Sequence, residues 1–176
     1  MRKTNWMLLG LLLLPATVFA ADDKNPVHGE AYFFVGPIVA TPYTEAGGLH
    51  INTGAGGDVL FYKGLGIGAE AGYARRGNSY QATGTASLDF SYHYLGRKPK
   101  NRFEHFVVGG PSFYFGNGGQ VTGYNLGGGV NCWVQKHLAI RLEIRDYGHT
   151  QGDLVGGVGF PQINSFVGFH FGVTLR

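Results

Sequence analysis

The chain has 176 residues, of which 14% are charged and 14% aromatic, with 31 glycines and a formal net charge of +3. A water-soluble domain carries nearer a quarter charged residues, so this glycine-rich, aromatic-rich composition suits strands that face lipid around a packed interior. Loss of Arg2 and Lys3 with a leader lowers the basic count from 14 to 12 against 11 acids, which leaves no charge excess to draw nucleic acid or an acidic partner.

Arg2 and Lys3 precede an apolar stretch from Trp6 to Leu14, Pro15 breaks it, and Val18-Phe19-Ala20 places small residues at a cleavage site. These are the parts of a secretory signal peptide over residues 1–20, cut after Ala20. The apolar stretch is too short for a membrane helix, which needs roughly 20 residues. No later apolar run approaches 18 residues, so helical spans are excluded. A strand crosses in about 10 residues. Residues 21–176 form one domain, and Cys132, the lone cysteine, has no partner for an intrachain disulfide.

Eight segments of alternating polarity follow. The first, about Glu30 to Ala40, turns Ala31, Phe33, Val35 and Val39 outward. The second, about His50 to Phe61, sets Ala55, Val59 and Phe61 against Asn52, Gly54, Gly56 and Asp58. After a tight turn at Lys63-Gly64, Leu65, Ile67, Ala69, Ala71 and Tyr73 oppose Gly66, Gly68, Glu70 and Gly72. The fourth, Thr83 to Tyr94, is the most regular. Ala86, Leu88, Phe90, Tyr92 and Tyr94 share one face, and Asp89 and His93 lie on the other. The fifth, about Phe103 to Phe115, is apolar on both faces. Phe106, Val108 and Tyr114 are expected outward and His105 inward.

The sixth strand puts Tyr124, Leu126, Val130, Cys132 and Val134 outside, and Asn125, Gly127, Gly129 and Asn131 inside. In the seventh, Leu138, Ile140, Leu142 and Ile144 oppose Arg141, Glu143 and Arg145. The eighth, about Asn164 to Arg176, has Val167, Phe169, Phe171, Val173 and Leu175 outward and Gly168, His170, Gly172 and Thr174 inward. Connections after the second and sixth strands are short. Those after the first, third, fifth and seventh are expected to be longer and glycine-rich, as on the outer side of a bacterial outer-membrane barrel. The basic stretch from Gly96 to Arg102 is a long turn on the opposite side.

Hydrocarbon cannot satisfy backbone N–H and C=O groups, so a spanning sheet must close on itself. The expected fold is therefore an all-β, eight-stranded, antiparallel transmembrane up-and-down barrel, a size whose interior side chains can fill. A central charge facing lipid would cost about 2–4 kcal/mol. Asp58, Glu70, Asp89, His93, Arg141, Glu143 and Arg145 are accordingly expected to form a charge network that plugs the lumen, with His105 and His170 beside it.

Eight such strands behind a leader, with LAIRLEIRDY from Leu138 to Tyr147 and the closing FVGFHFGVTLR, resemble the small bacterial outer-membrane barrels of the OmpA-like or OmpX-like group. The resemblance implies an outer-membrane location, insertion by the barrel assembly machinery through the last strand, and salt bridges in the lumen. One departure is the close on Leu175-Arg176, where members commonly end on an aromatic residue. No peptidoglycan-binding domain is expected.

Motifs for other chemistry are missing. Gly66-Ile67-Gly68 with Gly72 misses the dinucleotide spacing, and no pair among the seven histidines has a spacing suited to zinc. No cofactor, metal or catalytic residue is expected. The best candidate for catalysis is an outer-end cluster of His149, Asp153 and Ser165, with Asp146, and it reads more simply as loop and strand-end polars. The leading expectation is a non-enzymatic, porin-like envelope barrel. It would touch outer-membrane lipid and lipopolysaccharide, with an extracellular ligand at loops Thr41 to Leu49 and Gly148 to Gln162. The alternatives are an outer-membrane lipid-modifying enzyme and a soluble secreted barrel binding an apolar ligand.

Overall fold

The computed structural model describes residues 27–41, 50–76, 82–95, 102–116, 119–151 and 162–176. The leader, most of the first long loop, Asp153 and most of the basic turn lie outside them. The strands are β1 (His28–Thr41), β2 (His50–Tyr62), β3 (Leu65–Arg76), β4 (Ala82–Leu95), β5 (Phe103–Gly116), β6 (Gly119–Gln135), β7 (Leu138–Gln151) and β8 (Gln162–Leu175). Each pairs antiparallel with the next, and β8 returns to β1 to close the barrel. Closure removes the exposed edges that an open sheet would present.

Two local devices set the register. The β2–β3 hairpin turns through Lys63 (φ 46°) and Gly64 (φ 90°). Two successive positive φ values match the right-handed twist of the flanking strands. The Gly64 carbonyl then accepts from the His93 N–H at 2.7 Å, tying the turn to β4. At the closing seam the β1–β8 pairing runs from Ala31↔Leu175 to Val35↔Phe171 and resumes at Ile38↔Gly168. Gly36 and Pro37 fall in that gap. Proline has no N–H to give a ladder, and a side chain at Gly36 would run into the Phe169 carbonyl.

The alternation read from sequence holds for β1–β4 and β6–β8. Phe33, Val35, Val59, Ile67, Leu88, Phe90, Leu126, Ile140, Leu142, Ile144, Phe169 and Phe171 are exposed on the outside. With Val107 on β5, every strand contributes to this apolar belt. Tyr62, Tyr92 and Tyr94 ring one end and Tyr73, Phe115 and Tyr124 the other. Aromatic girdles flanking an apolar band are the pattern of a barrel that spans a bilayer.

Strand β5 faces the other way from expectation. Phe106, Val108 and Tyr114 are buried in the lumen, whereas His105 is exposed on the outside. The reason is the content of the lumen. Phe106 forms an apolar wall for a buried guanidinium, so its inward position is a packing requirement. The connection after β5 also differs. β5 ends at Gly116 and β6 begins at Gly119, with Gly116 paired to Gly119, so these two glycines, read as part of a long loop, belong to the strands.

Candidate functional site

The inward positions divide into a central network and a cluster at the end that carries the Lys63-Gly64 hairpin. In the centre, Arg141, Glu143 and Arg145 share the inner face of β7 because residues two apart on a strand point the same way. Arg145 is 0% exposed and Arg141 1%, so neither charge is solvated and each depends on partners. Arg145 Nε donates to Glu143 Oε1 at 2.5 Å, and its Nη1 lies 3.1 Å from both Glu70 Oε2 and Asp89 Oδ2. One guanidinium thus joins β3, β4 and β7 across the lumen. Arg141 donates through Nε and Nη2 to Glu143 Oε2 at 3.0 and 2.9 Å. Its guanidinium carbon sits 4.0 Å from the Tyr32 ring centre and 3.9 Å from that of Phe106, two cation–π contacts in a dry setting.

Neutral groups complete the carboxylates. Tyr147 donates to Glu70 Oε1 at 2.8 Å and Tyr32 to Glu70 Oε2 at 3.1 Å. Asn125 donates to Asp89 Oδ1 at 2.8 Å and to Ser112 Oγ at 3.0 Å. His170 lies in the same layer. Its ring stacks on Phe34 at 4.1 Å and meets Asn52 Nδ2 at 3.3 Å. The inward glycines make room for these long groups. A Cβ on Gly127 would crowd Arg145, one on Gly56 the Tyr32 ring, and one on Gly68 the Asp58 carboxylate.

The network expected from sequence is therefore brought together for Glu70, Asp89, Arg141, Glu143 and Arg145. Asp58 is buried and faces inward but is not among their ion-pair partners. His93 belongs elsewhere. It lies four residues beyond Asp89 along β4, roughly 13 Å at the rise of a strand, which carries it to the hairpin end.

There His93 Nδ1 is 2.7 Å from Glu104 Oε1 and 3.9 Å from Glu30 Oε2. Arg176 bonds to Glu30 and, at 2.7 Å, to Glu104 Oε2, while its guanidinium carbon stacks 4.2 Å from the Trp133 ring. Trp133 Nε1 donates to Glu104 Oε2 at 3.1 Å and Asn131 Nδ2 to Glu104 Oε1 at 3.3 Å. Glu30, Glu104, Trp133 and Arg176 had not been marked by sequence reasoning as interior charge partners. One signal was available. Glu104 has the same parity as Phe106, so the inverted reading of β5 also turned this acid toward lipid, where it would be costly. Histidine spacing along the chain carries no information on residues that different strands bring together. Glu30, His93 and Glu104 come from three strands, yet their ligand atoms lie within 4.8 Å of one another.

Of the outer-end candidates, Asp153 lies outside the described residues, and His149 and Ser165 do not come together. The register pairs His149 with Asn164 and Gly148 with Ser165, so His149 and Ser165 point to opposite faces of the sheet. His149 turns inward between Tyr114 (5.9 Å) and Phe166 (6.1 Å). Asp146 pairs with Val167 on the outer face.

No protein-family model matches the chain, and no curated protein matches it in sequence. Solved structures match its fold. Neisserial surface protein A (NspA) is 9% identical over 84% of this chain and 96% of its own, with a TM-score of 0.63. The outer membrane protein OprG from Pseudomonas aeruginosa is 10% identical over 85% and 93%, with a TM-score of 0.54. The attachment invasion locus protein Ail of Yersinia pestis is 9% identical over 86% and 98%, with a TM-score of 0.50. At such identities the likeness is one of architecture, and each neighbour is matched over nearly its whole length. The chain thus has the fold of the small eight-stranded outer-membrane β-barrels, the OmpA-like and OmpX-like group.

Proposed function

We propose that this protein is a bacterial outer-membrane barrel whose lumen is closed to solutes and whose role is structural or surface-interacting, without catalysis. The observation that carries the reading is the division of the wall. A continuous apolar belt with aromatic rims faces out, and the ionised groups around Arg145 face in. In water such a belt would be an aggregation surface far larger than soluble proteins expose; in hydrocarbon it is solvated. The reverse arrangement, with a charged exterior around an apolar pocket, is what a soluble ligand-binding barrel needs.

The crossed ion pairs and the rings of Tyr32, Phe34, Phe106 and Tyr147 occupy the space through which a solute would pass, which supports a structural plug over a pore. The same interlocking holds the carboxylates on fixed partners, and His149 and Ser165 lie on opposite faces, which supports a non-enzymatic role. Under this reading residues 1–20 are a cleaved export signal and the assembly machinery inserts the barrel. Lipid and lipopolysaccharide surround it, and the loops 42–49 and 152–161 meet partners outside the cell. Attachment, which the name of Ail ascribes to that protein, is one task the same wall-and-loop plan accommodates.

Fractionation with a heat-modifiable gel shift tests the reading. Recovery in the outer membrane as a form that migrates differently before and after boiling supports it. Recovery in the periplasm without detergent overturns it. In planar bilayers the purified protein is expected to give no steady conductance, and a stable open channel would overturn the plugged lumen alone.

A further inference from the structure

We propose that Glu30, His93 and Glu104 form a binding site for a single divalent transition-metal ion, best matched by zinc, at the hairpin end of the lumen. The three side chains are 0–3% exposed and reach one point from β1, β4 and β5. Zinc bonds of about 2.0–2.2 Å in tetrahedral array hold neighbouring ligand atoms roughly 3.3 Å apart. The spacings here, 2.7 Å from His93 Nδ1 to Glu104 Oε1 and 3.9 Å to Glu30 Oε2, bracket that value. A mixed imidazole and carboxylate set is one that zinc accepts.

A second observation points to a missing partner. Glu30 Oε2 is fully buried and accepts no hydrogen bond, and His28 Nε2, 3.6 Å from Glu30 Oε1, makes none either. An orphaned carboxylate oxygen in a protein interior is costly, and a cation between Glu30 and His93 would relieve it. Arg176 does not fill that place. It takes Glu30 Oε1 and Glu104 Oε2, leaving Glu30 Oε2 and Glu104 Oε1 turned toward His93. Arg176, Trp133 and Asn131 then act as outer partners that orient the ligating carboxylates, as metal sites commonly require. The fourth position of a tetrahedral ion is left to water.

The surrounding charge favours a cation. The described inward carboxylates Glu30, Asp58, Glu70, Asp89, Glu104 and Glu143 outnumber the guanidiniums of Arg141, Arg145 and Arg176. Binding at Nδ1 displaces the hydrogen bond from His93 to Glu104 Oε1, the neutral imidazole then carrying its single N–H at Nε2. Because β1 pairs with β2 and β8 and not with β4 or β5, the ion would staple walls that the sheet does not join.

The test uses the untagged, purified barrel stripped with a chelator, then dialysed against micromolar zinc, with cobalt(II) as the spectroscopic probe. The expected result is one ion per chain and the intense visible bands of four-coordinate cobalt. Affinity should fall about tenfold or more in Glu30→Gln and in His93→Gln, each checked for folding by gel mobility. His105→Ala, on the outer wall, should bind as the parent does. No retained zinc, unchanged affinity in both folded variants, or loss confined to His105→Ala would overturn the site. If the variants do not fold, the parent's cobalt spectrum decides, and a weak octahedral spectrum counts against it.

Discussion

Replacing Arg145 with methionine keeps most of the side-chain volume and deletes the charge that joins three strands. The guanidinium is 0% exposed and faces Glu143 at 2.5 Å and Glu70 and Asp89 at 3.1 Å. Its loss leaves three carboxylates in one dry compartment with Arg141 as the remaining guanidinium, and Arg141 is committed to Glu143. Removing one partner of a buried ion pair costs about 3–5 kcal/mol, because the other charge stays behind uncompensated. With Glu70 and Asp89 left without a cation and Glu143 keeping only Arg141, the cost should reach the upper end of that range. The pairs are shielded from solvent, so added salt should change the figure little.

The assay is equilibrium unfolding in urea in detergent or vesicles, followed by gel mobility. Neutralising the acids at the same time, as in Arg145→Met with Glu143→Gln and Glu70→Gln, should recover part of the loss. A cost below about 1 kcal/mol for Arg145→Met, the range of a surface pair, would refute the claim that the network is buried and holds the wall together.

Further substitutions test other parts of the account. Leu142→Arg, in the middle of the outer belt, should cost about 2–4 kcal/mol in lipid, and an unchanged unfolding midpoint would argue against lipid contact there. Phe106→Ala should cost about 3–5 kcal/mol by opening a void beside Arg141, whereas His105→Phe should be neutral or stabilising in vesicles; the reverse order would restore the outward reading of β5. Gly36→Ala should lower the temperature of the gel shift, because its Cβ meets the Phe169 carbonyl at the seam, and an unchanged temperature would show that the seam has slack. His149→Ala should leave any acyl-transfer or deacylase activity of the preparation unaltered, and its loss would revive a catalytic outer end.

How much of this could be read from the chain depended on contrast between alternate positions. β4 and β7 were legible because aliphatic or aromatic residues interleave with Asp89 and His93, or with Arg141, Glu143 and Arg145. β5 offered no such contrast. Its lumen needed Phe106 to flank Arg141 and Tyr114 to bond the Tyr124 carbonyl at 2.9 Å, so both faces are apolar and His105 alone misled. The β5–β6 connection was misjudged because Gly116 and Gly119, exposed and paired with each other at the strand ends, look like loop glycines. Partners within the central network follow from parity. The hairpin-end cluster does not, since it depends on the heights at which Glu30, His93 and Glu104 sit on three strands, and register sets those heights.

Spin labels placed singly at positions 140 to 145 of β7, in the vesicle-inserted protein, test the central arrangement most directly. Collision with lipid-dissolved oxygen should be high at 140, 142 and 144 and low at 141, 143 and 145, with little access to an aqueous nickel chelate at any of the six. Water-accessible odd positions beside even positions shielded from oxygen would contradict the account.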